Sequence, residues 1–271
     1  MSKWLKVAFF TALLIGAGYF FGAICRQIGQ AYELVLAPSR ELLFLLLWFL
    51  LALGAIMVSA GLVAALLQPV SVAFIAFALS GLAMLVGWRL AVVSSILVLV
   101  YLVAASLYVV GVARELNERI RFSVHSLSAG QDMLLMALVL VACGSLYPGY
   151  AAQIEREGFS MPESYMEVFM EQMEKQIEAR VPAEERAEAV AEFRAQFRQA
   201  VDGFFEETVK PYERFIPLGV AAGTFMSLAT ITRLLTWVPT AVLSLAFPLL
   251  TALGVTKVVS ETQEVQRLVI S

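Results

Sequence analysis

Cysteine and histidine are almost absent from this chain of 271 residues. The two cysteines, Cys25 and Cys143, both lie inside apolar stretches and build neither a disulfide framework nor a cysteine zinc site. A single histidine, His125, disfavours bis-histidine haem ligation, histidine-rich metal sites and serine–histidine–aspartate chemistry. Charge is scarce as well: Asp, Glu, Lys and Arg make up 15% of the chain, against about 25% in an ordinary soluble domain. Glycine and proline, at 17 and 9, are too few for collagen, and the apolar share is too high for a disordered chain. The short catalytic strings are missing too: no Gly-x-Ser-x-Gly, His-Glu-x-x-His, Walker loop or Cys-x-x-Cys occurs. No cofactor is implied, and the sequence names no reaction.

Hydrophobicity fills the space these absences leave. Apolar residues are 60% of the chain, and the mean hydropathy is +0.81. A helix needs about 20 apolar residues to cross a bilayer. Seven stretches free of charged residues approach or exceed that length: 7–25, 42–67, 70–88, 90–113, 133–150, 215–232 and 234–256. Backbone groups in hydrocarbon must bond within their own segment, and period-two alternation is absent, so these are read as helices and not as barrel strands. The expected fold is all-α: a polytopic transmembrane bundle of about seven spans with an extramembrane amphipathic hairpin. Residues 1–150 hold spans one to five, 151–214 the hairpin, and 215–271 the last two spans and a polar tail. Gln68-Pro69 marks one corner, and Arg233 with Trp237-Val-Pro239 marks the break of the last apolar stretch.

Trp4, Trp88 and Trp237 fall at span edges, where indole rings settle at headgroup depth, whereas Trp48 lies deeper. The first stretch also has a signal-peptide reading, because Lys3 and Lys6 precede an apolar core. Its length and the lack of a small-x-small site favour an uncleaved span, and bulky Ile24 before Cys25 disfavours a lipoprotein. Orientation rests on basic residues in short segments. Lys3, Lys6, Arg114, Arg119, Arg121 and Arg233 on the N-terminal side face Arg26, Arg40, Arg89, Lys257 and Arg267 on the other, six against five. The leading lysines then place the N-terminus in the cytoplasm and 151–214 outside, in an inner or plasma membrane.

The insertion 151–214 has 15 acidic and 8 basic residues, a net charge of −7, which leaves +4 for the remainder. Such a module repels nucleic acid and anionic lipid and suits a protein with a basic surface. Ser160-Met161-Pro162-Glu163 reads as a helix start. Met166, Phe169, Met170, Met173 and Ile177 follow on one face, and Val190, Phe193, Phe197, Val201 and Phe204 form a second apolar face. Met166, Phe169, Met170, Met173, Phe193 and Phe197 are therefore the candidate partner-binding face. Mutual covering of the two helices is the plainer account, and a thioether copper site the remotest.

Polar candidates are few. His125 and Asp132 form a proton-relay pair on one reading; on the other, Ser128 and Gln131 make a capping box and Asp132 complements the helix dipole. Arg233 is either a counter-charge for an anionic substrate or a side chain that snorkels to the interface. Gly18-x-x-x-Gly22 and Gly219-x-x-x-Gly223 permit close helix approach, within the chain or to a second copy in a homo-oligomer. Pro248 predicts a kink within the last span. The primary expectation is a non-enzymatic membrane-embedded interaction or assembly protein, with the lipid bilayer and a basic protein as partners. A small-solute or ion transporter component is the alternative, and a lipid-acting enzyme would have to draw on 114–132.

Overall fold

The computed structural model describes residues 3–30, 40–67, 69–118, 130–157, 186–204, 207–208 and 210–256. These residues form an all-α bundle, and none of them is in a strand. The long helices are α1 (Lys3–Gln30), α2 (Arg40–Leu66), α3 (Val70–Gly87) and α4 (Val92–Glu118). Then come α5 (Gln131–Gly144), α6 (Leu146–Glu157), α7 (Arg186–Phe204), a short 3₁₀ helix (Lys210–Phe215), α8 (Ile216–Leu234) and α9 (Trp237–Ala252).

Among the described residues, six helical segments are long and apolar enough to cross a membrane, with α5 and α6 counted as one segment and α9 too short to be included. Their outward faces are as apolar as their inward ones. Leu99, Val103 and Leu107 recur along α4 and are 54–62% exposed. Water would penalise such a surface by about 25 cal/mol per Å², whereas lipid would not.

The centre of the bundle is the parallel contact of α1 and α3, and small residues set its distance. A Cβ on Gly18 would stand 2.6 Å from the carbonyl oxygen of Ser80, and one on Gly22 would run into that of Met84. From the facing helix, a Cβ on Gly87 would run into the carbonyl of Tyr19. Fully buried Ser80 donates a hydrogen bond to the Leu14 carbonyl at 3.1 Å and accepts one from Tyr101 at 3.3 Å, which joins α1, α3 and α4 in one polar link. Phe21 and Phe49 meet at 6.3 Å between ring centroids and seat α2 on another side of α1.

The seventh span expected over 234–256 corresponds to α9, an apolar helix shorter than the six segments long enough to cross. The α8 helix starts beside α6, at the end of the bundle where α1 finishes. The chain then turns at Leu235 and Thr236 and continues in the same direction as α9. Beyond α9, Lys6 donates to the carbonyls of Gly254 and Val255 at 3.3 and 2.6 Å, so α9 finishes where α1 begins. Together α8 and α9 make one broken helical path from that end of the bundle to the other. The sequence suggested two spans because 215–256 is too long for one straight helix, but the excess length is taken up by the break and not by a return. The helix α9 runs through Pro248 and ends in a glycine cap. Gly254 adopts φ +69°, with Val255 N–H bonded to the Leu250 carbonyl and Gly254 N–H to that of Thr251.

A second boundary also moves. The fifth crossing bends at Ser145 and stays helical to Glu157, so the first seven residues of the acidic stretch belong to α6. The amphipathic helix proposed over 160–181 lies outside the described residues.

Candidate functional site

At the end of the bundle where α1 finishes lies a cavity of about 410 Å³. Three arginines line it, each from a different part of the chain: Arg26 from α1, Arg89 from the turn between α3 and α4, and Arg156 from α6. Gln30, Gln153, Ser94 and Ser145 add amide and hydroxyl groups, and none of the described lining residues is acidic. Among the described residues, no carboxylate forms an ion pair with these three guanidinium groups. All three arginines are exposed, as residues at the mouth of such a cavity must be.

Local structure holds the cavity walls. Ser94, buried in the first turn of α4, donates to the Arg89 carbonyl at 2.6 Å and accepts from the Ala91 N–H at 3.0 Å. That pair of bonds fixes the turn from which Arg89 projects. Trp88 packs beneath it with 6% of its surface exposed. Gly29 brings α1 over the bend at Ser145, where a Cβ would approach the Ser145 carbonyl oxygen to 2.7 Å. Ser145 turns its hydroxyl to the Ala142 carbonyl at 2.6 Å, beside the bond of 3.2 Å that its own N–H makes to the same oxygen.

A smaller cavity of about 190 Å³ lies at the break between α8 and α9. Leu53, Gly54 and Met57 from the middle of α2 line it with Gln131, Thr232 and Thr236. Gln131 is 4% exposed, and its side-chain oxygen accepts a hydrogen bond from Thr240 at 3.1 Å. The capping box expected from Ser128 and Gln131 is therefore corrected: the Gln131 side chain bonds across to α9, and Gly130, at φ +77°, stands at the N-cap.

Of the polar residues singled out in the sequence, Asp132 and Arg233 lie among the described residues. Asp132 stands in the first turn of α5, while His125 lies outside the described residues. Arg233 is exposed in the last turn of α8, and its carbonyl accepts from Thr236 Oγ1 at 3.0 Å. The break beside it shares a small cavity with Leu53, Gly54 and Met57 of α2. Gly18 and Gly22 lie in the α1–α3 contact; a Cβ on Gly219 or Gly223 meets nothing within 4 Å. The glycine pair of α8 thus makes no close approach within the chain among the described residues. Met166, Phe169, Met170 and Met173 lie outside the described residues. Phe193 and Phe197 stack on α7 with centroids 5.9 Å apart and are half-buried.

Sequence reasoning used Arg26 and Arg89 only for counting charge and left Arg156 inside the acidic stretch. The available signal was that two of these arginines directly end charge-free runs, after Cys25 and after Trp88. Their convergence depends on which helix ends meet, and composition does not encode that. No protein family, curated protein or solved structure matches the chain.

Proposed function

We propose that this chain is a multi-pass membrane protein whose work is interaction or assembly, with the acidic segment 151–214 as the part offered to a partner. Charge segregation is the observation that carries this reading: −7 in that segment against +4 elsewhere. The described part of the segment supports it. Helix α7 is polar overall, has no extensive packing against the bundle helices, and presents Phe193 and Phe197 on one face with Phe204 57% exposed nearby. A helix with an aromatic stripe, set in a segment of net charge −7, suits a partner with a basic rim and an apolar groove.

Six crossings also bear on orientation. With α9 ending beside Lys6, a topology in which the C-terminal tail stays on that side counts Lys257 and Arg267 with Lys3, Lys6, Arg114, Arg119 and Arg121. The short connections at the other end hold Arg26, Arg40 and Arg89. Seven against three supports a cytoplasmic N-terminus and an extracytoplasmic acidic segment in a cell membrane.

The test is photo-crosslinking in native membranes from position 193 or 197 of the full-length protein. An adduct to a basic protein, lost when the glutamates of α7 are neutralised, is the expected result. Adducts confined to the chain's own helices would overturn the reading.

A transporter component is the second reading, and the broken path of α8 and α9 favours it. Discontinuous helices meeting at a cavity inside a bundle are a recurrent way to build a solute site. Here the break places Thr232, Thr236 and Gln131 around a small space, with Arg233 beside it. Uptake into proteoliposomes that depends on Gln131 and Arg233 would favour transport over assembly.

A further inference from the structure

The arginine-lined cavity takes Ala152, Gln153 and Arg156 from the start of the acidic segment, but its chemistry points to a different ligand. We infer that it binds an anionic phosphate ester, whose oxygens Arg26, Arg89 and Arg156 share. Three elements converge on one space with three cations and, among the described residues, no lining carboxylate. Such an arrangement is repulsive when empty, and a ligand with several acceptor oxygens relieves it. A monocarboxylate has two oxygens and one charge, too few for three guanidinium forks. A phosphate group has the acceptors and the geometry for bidentate arginine contacts.

The backbone contributes in the same sense. Helix α4, 27 residues long, begins at this cavity, with Ala91 and Ser94 in the wall, and the positive end of its dipole faces the same space. Size selects against a bare ion: about 410 Å³ exceeds the roughly 30 Å³ of a water-sized group many times over and lies within the usual range of about 300–1,000 Å³ for organic ligands. Trp88 supplies a flat apolar wall for the ester's carbon part. Arg26 and Arg89 sit where apolar runs end, which is headgroup depth for a bundle in lipid. A phospholipid headgroup and a soluble phosphate ester present the same chemistry to the three arginines.

The experiment uses the purified full-length protein in non-ionic detergent. The probes are phosphatidylglycerol added to the micelles and free glycerol 3-phosphate as competitor. Arg26→Gln, Arg89→Gln and Arg156→Gln should each weaken phosphatidylglycerol binding at least tenfold, and Arg→Lys at the same positions should recover part of the loss. Arg40→Gln, at the same end of the bundle but outside the cavity, should leave it unchanged. Competition by glycerol 3-phosphate would identify a soluble ester as the ligand; binding without competition would identify the lipid.

Tryptophan emission provides a readout in the unmodified chain, should a variant fail to fold by circular dichroism. The emission should shift on binding, and Trp88→Phe should abolish the shift. Absence of binding by both probes would overturn the assignment. So would an equal loss in Arg40→Gln, which would reveal diffuse attraction to a basic surface.

Discussion

Lys6 reaches from the first helix to the far end of the chain and donates a hydrogen bond of 2.6 Å to the carbonyl oxygen of Val255. The ammonium caps the glycine-terminated end of α9, where free carbonyls carry partial negative charge. This one contact brings the start of α1 and the end of α9 to the same end of the bundle, which makes the number of crossings even. Reporter fusions before Lys3 and after Thr256 should therefore report the same compartment, and a fusion in the 151–214 segment the opposite one. Reporters at the two termini in different compartments would restore seven spans.

The α1–α3 contact predicts a sharp contrast among glycines. Gly22→Ala places a methyl group against backbone that cannot rotate away, and overpacking of this kind costs about 1–3 kcal/mol. Gly18→Ala should fall in the same range. Gly219→Ala and Gly223→Ala have open space around the new methyl and should leave stability unchanged or slightly improved. Thermal unfolding of the four variants in detergent measures the difference.

Ser80 ties three helices together through its hydroxyl, so Ser80→Ala leaves the Tyr101 hydroxyl without its partner in a fully buried position. A loss of about 1–3 kcal/mol follows from stranding such a group. Ser80→Ala combined with Tyr101→Phe should cost less than the two single changes added together, because the pair is then removed as a unit. Additive losses would show that the 3.3 Å contact contributes nothing to stability.

Gln131 and Thr240 hold α9 against α5, and theirs is the side-chain hydrogen bond that fixes the far limb of the broken path. Thr240→Val should loosen α9 without unfolding the bundle. Single cysteines at Leu243 and Gly61, whose side chain and backbone meet in the structure, should crosslink readily in the parent and several-fold less in the Thr240→Val protein. Unchanged crosslinking would mean that apolar packing alone holds α9.

Much of the fold was legible because lipid imposes a simple rule: charge-free length reports a crossing. Five stretches between Val7 and Tyr150 map onto helices within a few residues, and Pro69 stands at the corner expected of it, extended at ψ 162°. The rule fails over 215–256, because hydropathy measures length in lipid and not direction. Only the Lys6 contact and the Gly61–Leu243 packing reveal that α9 continues the course of α8. The Gly18 and Gly22 spacing marked a place where backbones approach closely, but the identical spacing at Gly219 and Gly223 marked none. A glycine permits contact, and the partner helix decides whether it occurs. The cavity was hidden for a related reason: Arg26, Arg89 and Arg156 are 63 and 67 residues apart in sequence and meet only because three helix ends coincide.

The central claim is that lipid surrounds the bundle, which accounts for the exposed leucines and valines of α4 and for the length of six helical segments. The most direct measurement is extraction of membranes from cells producing the full-length protein, first with alkaline carbonate and then with detergent. The account predicts that all of the protein stays in the carbonate-washed pellet and that detergent releases it. Recovery of a monodisperse species in the carbonate or detergent-free aqueous fraction would contradict it.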